Sequence, residues 1–175
     1  NYLGTYGGTG VPNGYGTALG FFHYPKQVTV GKYGTVVVAD FGNARVVAKA
    51  KNSSAWVLST PVGGVTQPWG VATDDVIGRV YVSDWYTDSV KVFQNGVLVN
   101  SFGGNGSTAG KFNKPCDLLL ATYQGQEAIY VADCGNNRVQ IFSMTGSYLG
   151  SLGQSSFDPL QYYDENKADG GMLLP

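Results

Sequence analysis

Asp40, Asp84 and Asp133 each close an apolar run of one form, VVVAD, VYVSD and IYVAD, and in two of the three an arginine follows five residues later, Arg45 and Arg138. A carboxylate at a strand end can accept backbone N–H bonds from the turn that follows, as an Asx turn. The arginine can pair back to that carboxylate, or lay its apolar stem between neighbouring elements. A single catalytic site needs such residues once, whereas a turn needs them every time it is built. The recurrence therefore points to structure, with a ring of polar residues lining a ligand site as the competing reading.

The other chemistry-bearing residues are few. His23 is the only histidine, too few for a zinc site built from several imidazoles, and it has no acidic neighbour to form a Ser-His-Asp set. It reads as a packed or surface aromatic. Asp74-Asp75 could suggest calcium but falls at an expected turn between strands, and reads as solvated. No catalytic, metal or cofactor residue is assigned within the chain.

These residues are set by a repeat. Gly-x-apolar-x-x-Pro occurs as GFFHYP, GGVTQP, GKFNKP and GGMLLP, starting at Gly20, Gly63, Gly110 and Gly170, at intervals of 43, 47 and 60 residues. Each complete interval holds one of the Asp phrases and closes on an apolar strand ending in Gly, as in LVNSFG and YLGSLG. Four short strands fit each unit; in the third they are expected near 117–122, 127–133, 138–143 and 147–152, joined by turns at Gln124-Gly125, Asn136-Asn137 and Thr145-Gly146. In the second, Asn95-Gly96 is a strong hairpin signal. Four antiparallel strands in about 45 residues is the size of a β-propeller blade.

The phrase "apolar-Tyr-Val-Ala-Asp, x-Gly-Asn-Asn-Arg-Val" resembles the NHL repeat over roughly residues 20–153, most closely in the third unit. The second unit departs, with Thr87 where the others have Asn43 and Asn136, and Ser89 in place of the arginine. The expected fold is an all-β propeller of four-stranded antiparallel blades: 1–7 the outer strand of a preceding blade, 20–60, 63–103 and 110–153 three complete blades, and 154–175 a long loop leading to a further one. Three blades cannot close a ring. The chain is thus expected to be a segment of a longer propeller, or to meet a second copy of itself in a 3 + 3 ring.

Cys116 and Cys134 are the only cysteines. If the first two strands of the third unit pair about Gly125, opposing residue numbers add to 250, and Cys116 faces Cys134 at disulfide distance. The resemblance supports the pairing, because amidating-lyase members of the family bridge the same two strand ends. Two free buried thiols are the alternative. A bridge implies an oxidising compartment. The sequons at Asn52 (Asn52-Ser53-Ser54) and Asn105 (Asn105-Gly106-Ser107) agree with one; they fall in loops on opposite faces of the blades.

The long last interval carries Asp158-Pro159 and Gly170, signals of a short helix. Tyr162, Tyr163, Asp164 and Glu165 beside it suggest a contact loop for a partner, or a local plug over a blade. With a net charge of -1 and 11 Lys+Arg the chain lacks the basic field that holds a phosphate backbone, so no nucleic-acid partner is expected. No apolar run approaches the length of a membrane span. The resulting expectation is a non-enzymatic extracellular glycoprotein propeller, a structural or protein/glycan-interaction module in a surface or fibrous assembly. The alternative is part of a secreted amidating lyase or lactonase whose catalytic residues lie elsewhere.

Overall fold

The computed structural model describes residues 18–55, 57–58, 60 and 64–153. The expected strand at 2–7 and the loop bearing Tyr162, Tyr163, Asp164 and Glu165 lie outside them. The described chain forms three four-stranded antiparallel sheets, each with its strands side by side in chain order. Blade 1 holds β1 (Pro25–Val30), β2 (Val36–Asp40), β3 (Arg45–Lys49) and β4 (Val57–Leu58). Blade 2 holds β5 (Pro68–Asp74), β6 (Arg79–Asp84), β7 (Ser89–Gln94) and β8 (Val97–Gly103). Blade 3 holds β9 (Pro115–Tyr123), β10 (Gln126–Asp133), β11 (Arg138–Ser143) and β12 (Tyr148–Gly153).

Burial explains the strand compositions. The middle strands are covered on both faces and read as near-continuous Val, Ile and Ala, whereas β8 and β12 are largely exposed at the rim. Alternate residues of one strand serve opposite neighbours. On β6, Val80 and Val82 pack with Val37, Ala39 and Val46 of blade 1. Tyr81, between them, packs with Leu118, Ile129 and Phe142 of blade 3. Phe102, Phe112 and Phe142 thicken this second core, with ring centroids 4.9–6.4 Å apart. Blade 2 is therefore sandwiched face to face between its neighbours, with β1, β5 and β9 adjacent along the inner edge.

Turn chemistry sets the registers. Asn95-Gly96 and Gln124-Gly125 both have positive φ at each residue, 50° and 80°, then 50° and 81°, the geometry of a two-residue hairpin loop matched to strand twist. The second of these corrects the expected pairing in blade 3. The loop is centred between Gln124 and Gly125 rather than on Gly125, so Ala121 faces Ala128 and Leu120 faces Ile129. Cys116 consequently does not sit opposite Cys134 in the ladder. It is the extra residue of a β-bulge between the pairs Asp117–Ala132 and Pro115–Asp133.

Candidate functional site

The three repeated aspartates are fully buried, but they do not form Asx turns with the residues that follow them. Each reaches back to the connection entering its own blade. Asp40 accepts the backbone N–H of His23 at 2.7 Å, Asp84 those of Thr66 and Gln67 at 2.8 and 3.0 Å, and Asp133 that of Asn113 at 2.7 Å. The expected arginine pairs are present: Arg45 to Asp40 at 2.7 Å and Arg138 to Asp133 at 2.8 Å. Each guanidinium also donates to carbonyls of the same connection, Arg45 to Ala18 and Phe21, Arg138 to Thr108 and Lys111. The motif is a clamp that fastens the strand between blades to the turn beneath it.

The glycines of the phrase belong to this clamp. A Cβ on Gly135 would lie 2.6 Å from the Asn113 carbonyl, and one on Gly42 2.7 Å from the His23 carbonyl, because the connection passes directly over the turn. In blade 2, where Ser89 replaces the arginine, Lys91 supplies the charge from two residues further along β7, its ammonium 2.8 Å from Asp84. Both positions lie on the same face of the strand, so either can reach the carboxylate. Gln140 holds the matching place in blade 3 and donates to Asp133 at 3.0 Å. Burial pushes the Asp84 carboxyl up, but the Lys91 ammonium and the Thr66 and Gln67 N–H groups outweigh it and hold the group below its ordinary value.

A second constellation escaped the sequence reading. The bulge seen at Cys116 recurs in the first strand of every blade, immediately after its proline, at Lys26, Trp69 and Cys116. Bulges re-aim the side chain of the extra residue. Here they turn it toward the residue that follows the buried aspartate: Phe41, Trp85 and Cys134. One pair of positions is thus joined in three ways. In blade 1 the Lys26 ammonium lies 5.0 Å from the Phe41 ring centre, in blade 2 Trp69 stacks on Trp85 at 5.7 Å, and in blade 3 Cys116 and Cys134 form the disulfide with Cα atoms 5.9 Å apart. Cys134 stands where Phe41 stands because both close the same gap.

These pairs run together across the blades. Lys26 also lies 4.4 Å from the Trp69 ring centre, and Lys114 lies 4.8 Å from that of Trp85. Phe41, Lys26, Trp69, Trp85 and Lys114 form one row on the face carrying the second turns and the connections between blades. Beneath it, Gln27 of β1 accepts the Val71 N–H of β5 and donates to Asp117 of β9. Gly70, the equivalent position in blade 2, leaves room for that reach, since a Cβ there would lie 2.7 Å from the Asp117 Cα. Aligning the units on Pro25, Pro68 and Pro115 would have exposed the row; comparing whole phrases hid it, because the residue type differs in each copy.

The remaining expected residues fall as follows. Asn52 is exposed in the turn between β3 and β4. Asn105 is exposed in the connection after β8, on the opposite face, with its side-chain amide donating to Asp88 at 2.9 Å. His23 is part-buried, its ring 4.7 Å from Tyr24. Asp75 is not a solvated turn residue: one carboxylate oxygen accepts the Tyr33 N–H of blade 1 and the other is buried without a partner among the described residues. Among the described residues no group of three His, Cys, Asp or Glu is placed to hold a metal ion. No helix there is long and apolar enough to cross a membrane.

No family model matches the chain. Over 172 residues it is 31% identical to peptidyl-glycine alpha-amidating monooxygenase A of Xenopus laevis and 27% identical to monooxygenase B of the same organism. The match takes in 90% of this chain but 18% and 19% of those proteins, so the chain spans less than a fifth of their length. Among solved structures, a streptogramin B lyase superposes with a TM-score of 0.54 at 16% identity, over 71% of this chain and 39% of the lyase. A gluconolactonase from Xanthomonas campestris does so with a TM-score of 0.53 at 14% identity, over 81% of this chain and 53% of the lactonase. Identities this low speak to the fold alone. With four-stranded blades stacked face to face and one phrase repeated in each, the chain has the fold of an NHL-type β-propeller.

Proposed function

We propose that this chain is part of an extracellular propeller that works as an interaction module rather than as an enzyme. One observation carries the reading: the recurring polar residues are all engaged in fastening the blades. Asp40, Asp84 and Asp133 are buried and ion-paired, leaving no free carboxylate of that set to act as an acid or base. The face above them instead presents a row of aromatic rings and lysines, a composition suited to contact. The disulfide supports an oxidising compartment, and the exposed sequons at Asn52 and Asn105 support N-glycans on both faces. The exposed Val28 and Val30 of blade 1 and Leu119 of blade 3 favour further blades or further copies of the chain as neighbours.

The full chain, secreted from cultured cells, should show no turnover of gluconolactone or of a peptide ending in α-hydroxyglycine, with or without added zinc or calcium. Turnover abolished by a chelator would sink the reading. It would favour the second one, an amidating lyase or lactonase with its catalytic residues on other blades, which draws its support from the fold shared with a lyase and a lactonase.

A further inference from the structure

We propose that the row formed by Lys26, Trp69, Trp85 and Lys114 is the docking site for an acidic peptide segment of a partner protein. The inference rests on the interaction-module reading and names the chemistry of the partner. An aromatic ring carries negative charge over its faces and positive charge at its edge. In this row the faces are occupied: Trp69 lies between the Lys26 ammonium and Trp85, and Trp85 between Trp69 and the Lys114 ammonium. What the row offers to solvent is therefore ring edges, indole N–H groups and ammonium hydrogens, all electropositive.

None of these donors is neutralised locally. Among the described residues neither Lys26 nor Lys114 pairs with a carboxylate, and neither indole N–H has an acceptor. Both lysines are exposed. The nearby carboxylates are already held: Asp88 accepts the Lys114 backbone N–H and the Asn105 amide, and Asp117 is held by Gln27 and by the Leu118 N–H. A chain of net charge -1 thus concentrates unpaired donors on one face. Carboxylates match that surface by charge. A sugar ring gains its binding from stacking on an open aromatic face, and the two indole faces here are covered, which favours a peptide over a polysaccharide.

The test is fluorescence anisotropy of a labelled Glu/Ser peptide titrated with the full chain, beside a twin in which every Glu is Gln. The acidic peptide should bind and the twin should bind at least about tenfold more weakly, with the difference shrinking as salt rises from about 0.02 to 0.3 M. The K26Q/K114Q variant should lose about tenfold in affinity, at the upper end of what two exposed charges contribute, and K32Q, on the opposite face, should lose none. W69F/W85F keeps the rings but removes both N–H donors, and should weaken binding while circular dichroism confirms the fold. Equal binding of the twin, or unchanged binding by a folded K26Q/K114Q protein, would overturn the proposal. So would capture of polygalacturonate with no peptide bound. Because this readout is binding and that of the module reading is turnover, the two can fail separately.

Discussion

Asp84 shows what a single residue contributes. Its carboxyl is held below the ordinary value of 3.8 despite burial, so its ionised form is favoured in the folded chain. The stability linked to this shift is fully present above about pH 4 and is lost as pH falls through the lower, folded-state value. Asp84→Asn removes the charge and leaves the part-buried Lys91 ammonium without its anion. It should cost about 3–5 kcal/mol at pH 7, and the gap to the parent protein in denaturant unfolding should narrow below about pH 4. Tyr81 is the opposite case. Burial pushes its hydroxyl above the ordinary value, outweighing both the charge of Arg79 and the hydrogen-bonding contact that its guanidinium offers, and that contact falls short of hydrogen-bond geometry, leaving the hydroxyl poorly satisfied. Tyr81→Phe should therefore raise stability by about 1 kcal/mol, since it removes a buried unsatisfied group at constant packing. A loss of comparable size would show that the hydroxyl is bonded after all.

At the scale of elements, the informative unit is the bulge after each proline. It converts one pair of positions into a fastener whose chemistry can change from blade to blade: cation–π in blade 1, ring stacking in blade 2, a covalent bond in blade 3. The bridge closes a loop of 18 residues, and such closure is worth about 3 kcal/mol. Cys116→Ala with Cys134→Ala should cost that much. Replacing the cysteines by the blade 1 pair, C116K/C134F, should restore about 1 kcal/mol of it through the cation–π contact, as read by thermal unfolding. If the swap is no better than the alanine pair, the three fasteners are not equivalent. The loop centred between Gln124 and Gly125 put the pairing anticipated about Gly125 one residue out; the cysteines still meet because the bulge turns Cys116 out of the ladder toward Cys134.

At the scale of the molecule, the blades are joined by two layers of contact. Apolar residues alternate between neighbours through β6 and its equivalents, and above them two Asp-Arg clamps and one Asp-Lys clamp pin the connections. The sequons flank this stack on opposite faces. With the chain expressed through the secretory route of cultured cells, N52Q and N105Q should each lower the intact mass by one glycan, and enzymatic release should convert both asparagines to aspartate. The Asn105 bond to Asp88 does not forbid a glycan, because a carboxamide carries two hydrogens and glycosylation replaces one. An unchanged mass in both variants would remove glycans from the proposed partners.

The repeat, the four-strand unit, the hairpin turns and the Asp-Arg pairs were legible in the sequence, because each depends on local spacing and on residue types that recur at a fixed interval. The aspartates' true partners were not, since a carboxylate's bonds run to whichever backbone folding brings over it, here a connection 17 to 20 residues earlier. Nor was the row of Lys26, Trp69, Trp85 and Lys114, whose members come from two blades and a connection and do not recur at the same position of every unit. The sequence by itself determined the blade, because strand periodicity and turn chemistry act within a few residues. Only the tertiary structure decided the site, because stacking one blade on the next sets which side chains are covered and which charges are left facing water.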